Sequence, residues 1–397
     1  MPLKSGGAVE SEYMRGRSNQ GLTSISKGVQ IPTTILDLSF PNTSTDVDVT
    51  YRSGIGRKCF YANGLFWVFY SDGTNMVYRT SEDGVTWSSP TTIRACDTSH
   101  NFAVWFDGSH LHYAATPLSN WNEPVVYRRG IPNDDGSITW STAEQTVRQD
   151  ANMWFRNITL AVDSGGYPWI GMATNQRAPL TVGTFADVSK SSKNDGVWMT
   201  QTGFPYRPDT TVNKRDILIL VPLTSQKMYI IYVLAAGPAT NPINGKLWAG
   251  SIWDLEETAT SRQSHDASIS AVAYQDIVHV VYDERTTNVV YHLKRAAGPA
   301  PGSWTETQIM ATSEGSGWSL TVQVETGYLW LFYIINNDVL YRQYISEWDA
   351  SPTTLQDRTA AESPYSMNSY YRARSDGKLG VIWTESPAYT IAHSGLV

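Results

Sequence analysis

Four arginines, two histidines and a tyrosine stand out in this sequence by type and spacing. Arg57, Arg156, Arg215 and Arg372 each lie where a short apolar run is about to begin, and Tyr371 adjoins Arg372. A guanidinium is a planar fork of donors, so several converging on one rim would clamp a carboxylate or sulfate bidentately. His100, in Ser99-His100-Asn101, and His265, in Ser264-His265-Asp266, occupy matching places before two such runs. An imidazole titrating near about pH 6.5 can abstract a proton while an arginine holds the substrate's acid group. Trp154, Trp121 and Arg177 fall in comparable positions, and indole faces suit the apolar faces of sugar rings. These residues also have a plainer use. An arginine opening one unit can pair with an aspartate of the next, and Asp97, Asp216 and Asp266 stand ready for it. His112 and His279 lie in mid-strand and read as packing residues. Metal-ligand spacing such as HExxH is absent, so neither a metal nor another cofactor is expected.

What must position these side chains is a repeat. Runs such as Leu65-Phe66-Trp67-Val68-Phe69-Tyr70, Val278-His279-Val280-Val281-Tyr282 and Leu329-Trp330-Leu331-Phe332-Tyr333 occur seven times, their starts 46, 57, 60, 50, 51 and 50 residues apart. Apolar runs of this length without alternation suit strands buried on both faces. About ten residues earlier lies another strand ending in a tight turn, as in Trp105-Phe106-Asp107-Gly108; about ten residues later lies a third, as in Val339-Leu340-Tyr341-Arg342. A fourth, more polar strand ends each unit. Four strands per unit and seven units predict an all-β fold, a seven-bladed β-propeller of antiparallel blades. The last unit stops after three strands, while Thr33–Leu38 and Asp46–Val49 precede the first without partners. One of these N-terminal strands is expected to complete the last blade and close the ring, which removes exposed edges.

The turn Ser81-Glu82-Asp83-Gly84-Val85-Thr86-Trp87 carries a family resemblance. It resembles the Asp-box (BNR) repeat of sialidase-like propellers, one residue short between Asp and Gly. Echoes stand in phase at Asp135-Gly136-Ser137-Ile138-Thr139-Trp140, Asp195-Gly196-Val197-Trp198 and Gly302-Ser303-Trp304. The resemblance implies that Ser81, Asp83, Gly84, Thr86 and Trp87 form a structural hairpin on the side away from the ligand face. It implies fold and not activity. A sialidase would also need three arginines on the substrate carboxylate, a Tyr–Glu nucleophile pair and an Asp acid. The F-R-I-P signature of that family is missing, with Tyr51-Arg52-Ser53-Gly54-Ile55-Gly56-Arg57 in its place. The expected function is therefore recognition or structure, in a virion or extracellular assembly, with a partner protein or an acidic glycan as ligand. The alternative is a carbohydrate-active enzyme, a sialidase-like glycosidase or a polysaccharide lyase.

Bulk properties bound the rest. A net charge of −7 argues against nucleic acid as the partner of the whole chain. No run of about 18 apolar residues could span a membrane. Cys59 and Cys96 are too few for a disulfide framework. The first residues, Met1-Pro2-Leu3-Lys4-Ser5-Gly6-Gly7, have no apolar core of a signal peptide. Yet only 10 of the 30 basic residues are lysines, and Trp and Tyr abound, as in proteins that work outside cells. An extracellular or virion-surface location reached without a signal peptide reconciles the two. Residues 1–29, glycine-rich and without apolar period, are expected to form an extended arm that docks on a partner subunit, and residues 30–397 the propeller.

Overall fold

The uninterrupted apolar runs of the repeat become the second strand of each blade, and their side chains are buried on both faces. The computed structural model describes residues 30–37, 55–97, 101–117, 120–210, 217–233, 242–310, 316–358, 364–373, 378–385 and 390–396. The proposed arm, residues 1–29, lies outside them. Seven sheets follow one another around a ring. Strand β1 (Gln30–Asp37) is set aside at the start of the chain. Blade 1 is β2 (Cys59–Ala62), β3 (Leu65–Ser71), β4 (Asn75–Ser81) and β5 (Thr91–Ala95). Blade 2 is β6 (Phe102–Phe106), β7 (Leu111–Ala115), β8 (Val125–Pro132) and β10 (Gln145–Arg148), with β9 (Ile138–Trp140) on the far end of β8. Blade 3 is β11 (Met153–Val162), β12 (Pro168–Gln176) and β13 (Gly183–Lys190), and chain around Tyr206 bridges to Val188 in the fourth position.

Blade 4 is β14 (Leu218–Pro222), β15 (Met228–Val233), β16 (Ile243–Trp248) and β17 (Trp253–Thr260). Blade 5 is β18 (Ser264–Tyr274), β19 (Ile277–Glu284), β20 (Val290–Arg295) and β21 (Trp304–Met310). Blade 6 is β22 (Ser316–Gln323), β23 (Leu329–Ile335), β24 (Asp338–Tyr344) and β25 (Thr353–Gln356). The last blade is β26 (Pro364–Ser369), β28 (Leu379–Glu385) and β29 (Thr390–Leu396), completed by β1. A short β27 (Arg372–Ala373) continues from β26 and pairs in parallel with the end of β22. Of the two N-terminal candidates, the earlier closes the ring, with Gln30 opposite Leu396 and Thr34 opposite His393.

The seams between blades are polar as well as apolar. Glu257 of blade 4 receives both the Nε and Nη2 of Arg295 of blade 5 at 2.8 Å, and the Trp304 indole N–H at 3.0 Å. At the closure, the Ser81–Trp87 turn of blade 1 lies against the last blade. Asp83 Oδ1 accepts from the Val85 and Thr86 amides at 2.8 and 2.7 Å, and Gly84 takes a φ of 75° that favours glycine. These amide bonds, Thr86 first, hold the Asp83 carboxyl down at about 2. Outside its own hairpin the turn clasps the closing strands: Trp87 Nε1 donates to Thr34 Oγ1 at 3.0 Å, and Trp87 meets the His393 ring edge-on at 4.9 Å.

Two predictions arise from these seams. Trp87 is only half-buried, so Trp87→Ala should cost about 2–3 kcal/mol in urea unfolding, below the range for a fully buried tryptophan. Burial lowers the pKa of His279 to about 4 and those of His292 and His393 to about 3. The unfolded chain binds these protons first, so stability is full above about pH 6.5 and falls as pH drops toward the folded values. Thermal melts across pH 7 to 4 should show a monotonic fall; a flat profile would contradict three neutral buried imidazoles.

Candidate functional site

The ring has two faces. Inner strands begin on an opening face and end in turns on the other. The channel between them is filled by Ile55–Lys58, the chain that leads into β2. Arg57 is buried, and its guanidinium reaches inner strands of blades 5, 6 and 7. Nη2 donates to Leu320 O at 2.9 Å and Ala271 O at 3.3 Å; Nη1 donates to Ser369 O at 3.1 Å and Ser319 Oγ at 3.3 Å. Lys58 Nζ donates to Phe102 O of blade 2 and sits 4.1 Å from that ring's centroid. An added Cβ on Gly56 would stand 2.7 Å from Ile158 O of blade 3, so only glycine passes there. Ile55 shares an apolar cluster with Ile217 and Ile219 of blade 4. The segment therefore reaches blades 2, 3, 5, 6 and 7 directly. Burial lowers the Arg57 pKa to about 10, yet the group remains charged at neutral pH.

Below this plug, on the turn face, the channel opens into a basin. A cavity of about 150 Å³ beside Trp105 and Tyr371 adjoins a wider one of about 500 Å³, and both are lined by Trp105, Asp107 and Arg372. Each blade gives at least one residue to the walls: Tyr61, Trp105, Asp163, Thr224, Asp276, Val324 and Arg372, in blade order. The Trp105 and Tyr371 rings meet at 4.5 Å, tilted by 50°. Arg57 lies over the Tyr371 ring at 5.3 Å and Arg372 at 5.4 Å. The Tyr371 hydroxyl accepts the Ala273 amide at 3.1 Å; burial raises its pKa against the pull of Arg372 and Arg57.

The basin's carboxylates are committed to turns. Asp107 accepts the Ser109 and His110 amides at 2.8 and 2.7 Å and His112 Nε2 at 3.0 Å. Burial alone would raise its pKa, but the His112 bond and charge hold it well below the carboxylate range. Asp163 accepts two turn amides and the Trp169 indole N–H, and burial raises its pKa. Asp276 accepts the Thr224 amide and hydroxyl, which outweigh burial and lower its pKa. Arg372 is exposed and lies over the Tyr371 ring.

The structure thus brings Arg57, Tyr371 and Arg372 together. Their common placement differs from the strand-opening rim that the sequence suggests. The last inner strand begins at Pro364, so Tyr371 and Arg372 fall at its far end, on the turn face. Arg156 is elsewhere. It lies near the start of β11, six residues before the basin residue Val162, roughly 20 Å along an extended strand. There it sits over Trp154 at 5.2 Å, in a cluster where Arg177 covers Trp121 at 4.6 Å and the two indoles are 6.3 Å apart. His100 and Arg215 lie outside the described residues, as does the side chain of His265. Trp105 was legible only as a strand residue. The signal that marks it is the Asp-Gly turn immediately after it, repeated in kind around one rim.

No family model matches the chain, and neither does any curated protein sequence. Solved structures are similar in fold. Polysaccharide lyase Uly1 is 9% identical, with 94% of this chain and 97% of that one covered, at a TM-score of 0.54. A protein of unknown function from Dyadobacter fermentans is 11% identical, with 94% and 99% covered, at 0.51. The fucose-specific lectin from Aleuria aurantia gives 12% identity, 75% and 90% coverage, and 0.47. The chain is a seven-bladed β-propeller. At such identities the likeness speaks of the fold alone.

Two arginines that look alike in sequence should behave oppositely. Arg57→Ala strips four carbonyl and hydroxyl partners of their donor and should cost at least about 3 kcal/mol. Arg372→Ala should change unfolding free energy by less than about 0.5 kcal/mol. Equal effects in chemical denaturation would refute the assignment of plug and basin.

Proposed function

We propose that this propeller recognises carbohydrate without transforming it, and that the turn-face basin is the binding site. The observation that carries the reading is the exposed Arg372 guanidinium beside the Trp105–Tyr371 pair. Both rings are buried and give the basin wall its apolar lining, while the exposed guanidinium can take an acid group, which makes an acidic glycan the ligand class. Carbohydrate is also the ligand class in the name of the polysaccharide lyase of like fold.

The basin is poorly equipped for hydrolysis. A glycosidase needs one carboxyl to give a proton and a second to attack or activate water. The oxygens of Asp107 and Asp276 are taken by turn donors and both carboxyls are held in the ionised form, while Asp163, raised by burial, has its oxygens tied to the Gly165 and Tyr167 amides and the Trp169 indole. The Tyr371 phenol is pushed upward, away from a role as base. Recognition asks none of this of them. The Ser81–Trp87 turn, read as an Asp-box, then serves closure of the ring.

Ser109 offers the test, because it is exposed on the basin rim and its side chain has no part in the turn's amide bonds. Ser109→Trp should fill the basin and abolish retention on an acidic-glycan array while leaving the melting temperature unchanged. Retention equal to wild type would move the site elsewhere. Turnover of a polyuronate or a fluorogenic sialoside by the wild-type protein would replace recognition with catalysis.

A further inference from the structure

We infer that the basin takes the end of an acidic glycan chain and not a stretch of its interior. This rests on the basin being a sugar site and adds which part of the chain enters it. A chain held along its length must come in at one side of a site and leave at another. A chain end needs one mouth only.

The axis offers no second way out. Arg57 is buried, and its donors are met by Ala271 O, Leu320 O, Ser319 Oγ and Ser369 O of three blades. The hydroxyls around it bond to one another, with Ser369 Oγ 2.8 Å from Ser319 Oγ and 2.7 Å from Thr321 Oγ1. The Leu320 amide donates to Ser270 Oγ at 3.0 Å, and these hydroxyl side chains are all buried. Parting this layer to pass a sugar would strand a buried guanidinium without its acceptors.

The sides are laced as well. From blade 1 to blade 2, Phe60 stacks on Phe106 at 5.0 Å, and at the next seam Trp105 and Val162 share one apolar cluster. From blade 3 onward, the Gln226 amide donates to Ser164 Oγ at 2.7 Å. The Thr224 amide and hydroxyl donate to Asp276 at 2.7 and 2.6 Å. The Tyr274 ring lies so close to Gly327 that an added Cβ there would stand 2.4 Å from it. The Val324 amide donates to Ala373 O at 3.0 Å, and Lys378 Nζ sits 4.7 Å from the Tyr61 ring centroid. Each contact joins neighbouring blades near their turns, so among the described residues the wall runs on from blade to blade. The mouth on the turn face is the entrance that remains.

Inside the wall the space is uneven. The wide part of about 500 Å³ adjoins a narrow part of about 150 Å³ between the plug, Trp105 and Tyr371, and Arg372 lines both. The narrow part takes the terminal residue, with its acid group on Arg372, and the wide part takes the residue next to it.

Binding of the full chain as a function of glycan length tests the inference. The probes are polygalacturonate and hyaluronate, each intact and cut to fragments by mild acid hydrolysis. Cutting the mean length about tenfold at constant mass multiplies the ends, so apparent affinity per mass of sugar should rise on the order of tenfold. Ser109→Trp, which fills the basin, should remove that rise. Reducing the fragments to alditols then tells the ends apart: lost binding assigns the reducing end, and kept binding the other. Binding that is unchanged or weaker per mass after cutting would overturn end recognition while the sugar site stands. A Ser109→Trp protein that keeps the rise would place the end-binding site outside the basin and overturn it as well. If the wild type binds neither polymer in either form, the sugar site itself fails and end recognition falls with it.

Discussion

A charged side chain taken out of water must be met by polar groups that stay in place. Arg57 imposes that condition on the whole ring. Its acceptors are Ala271 O, Leu320 O, Ser319 Oγ and Ser369 O, on the inner strands of three blades. Those strands hold the acceptors at the right separation only when the blades stand at their proper angles. Asn368 ties the same segment from below and above, its Oδ1 accepting the Lys58 amide at 2.9 Å and its Nδ2 donating to Gly56 O at 3.0 Å. The apolar seams supply the greater share of cohesion, and hydrogen bonds to a buried cation add a directional requirement to them. The axis of the ring is thereby fixed, and with it the places of the seven turns around the basin.

The blades were readable because period and burial leave marks on sequence. A second strand packed on both faces has no room for polar residues, and runs such as Leu65–Tyr70 show it. The ring count followed from the spacing. The closing strand was less readable, since Thr33–Leu38 and Asp46–Val49 have similar patterns and pairing with β29 is a property of the closed ring. Arg57 and Arg372 were unreadable as different. Each stands beside an apolar strand, and the distinction between plug and rim exists only once seven inner strands surround one of them. Tyr371 and Arg372 were placed one strand-length away from where they lie, because the last inner strand starts earlier than its apolar run suggests.

The acidic turns show a similar division of labour. Asp83 organises the hairpin that clasps the closure, while Asp107 and Asp163 do the same for turns around the basin. One chemical device, a carboxylate gathering backbone amides, serves the outer rim and the inner one. On the inner rim the same carboxylates also line the basin wall.

The pairing of Gln30 with Leu396 has a consequence for how the protein is made. A ribosome delivers β1 before all seven second strands and its partner β29 only after them. Until β29 emerges the opening strand has no mate, and the blades before it form a growing arc with two open edges. Such edges invite pairing with other chains. The ring can shut only after β29 leaves the exit tunnel, so closure joins strands more than 350 residues apart in sequence, with a correspondingly high loop-closure cost. The interval between the emergence of β29 and its pairing with β1 sets how long the open edges are exposed to aggregation.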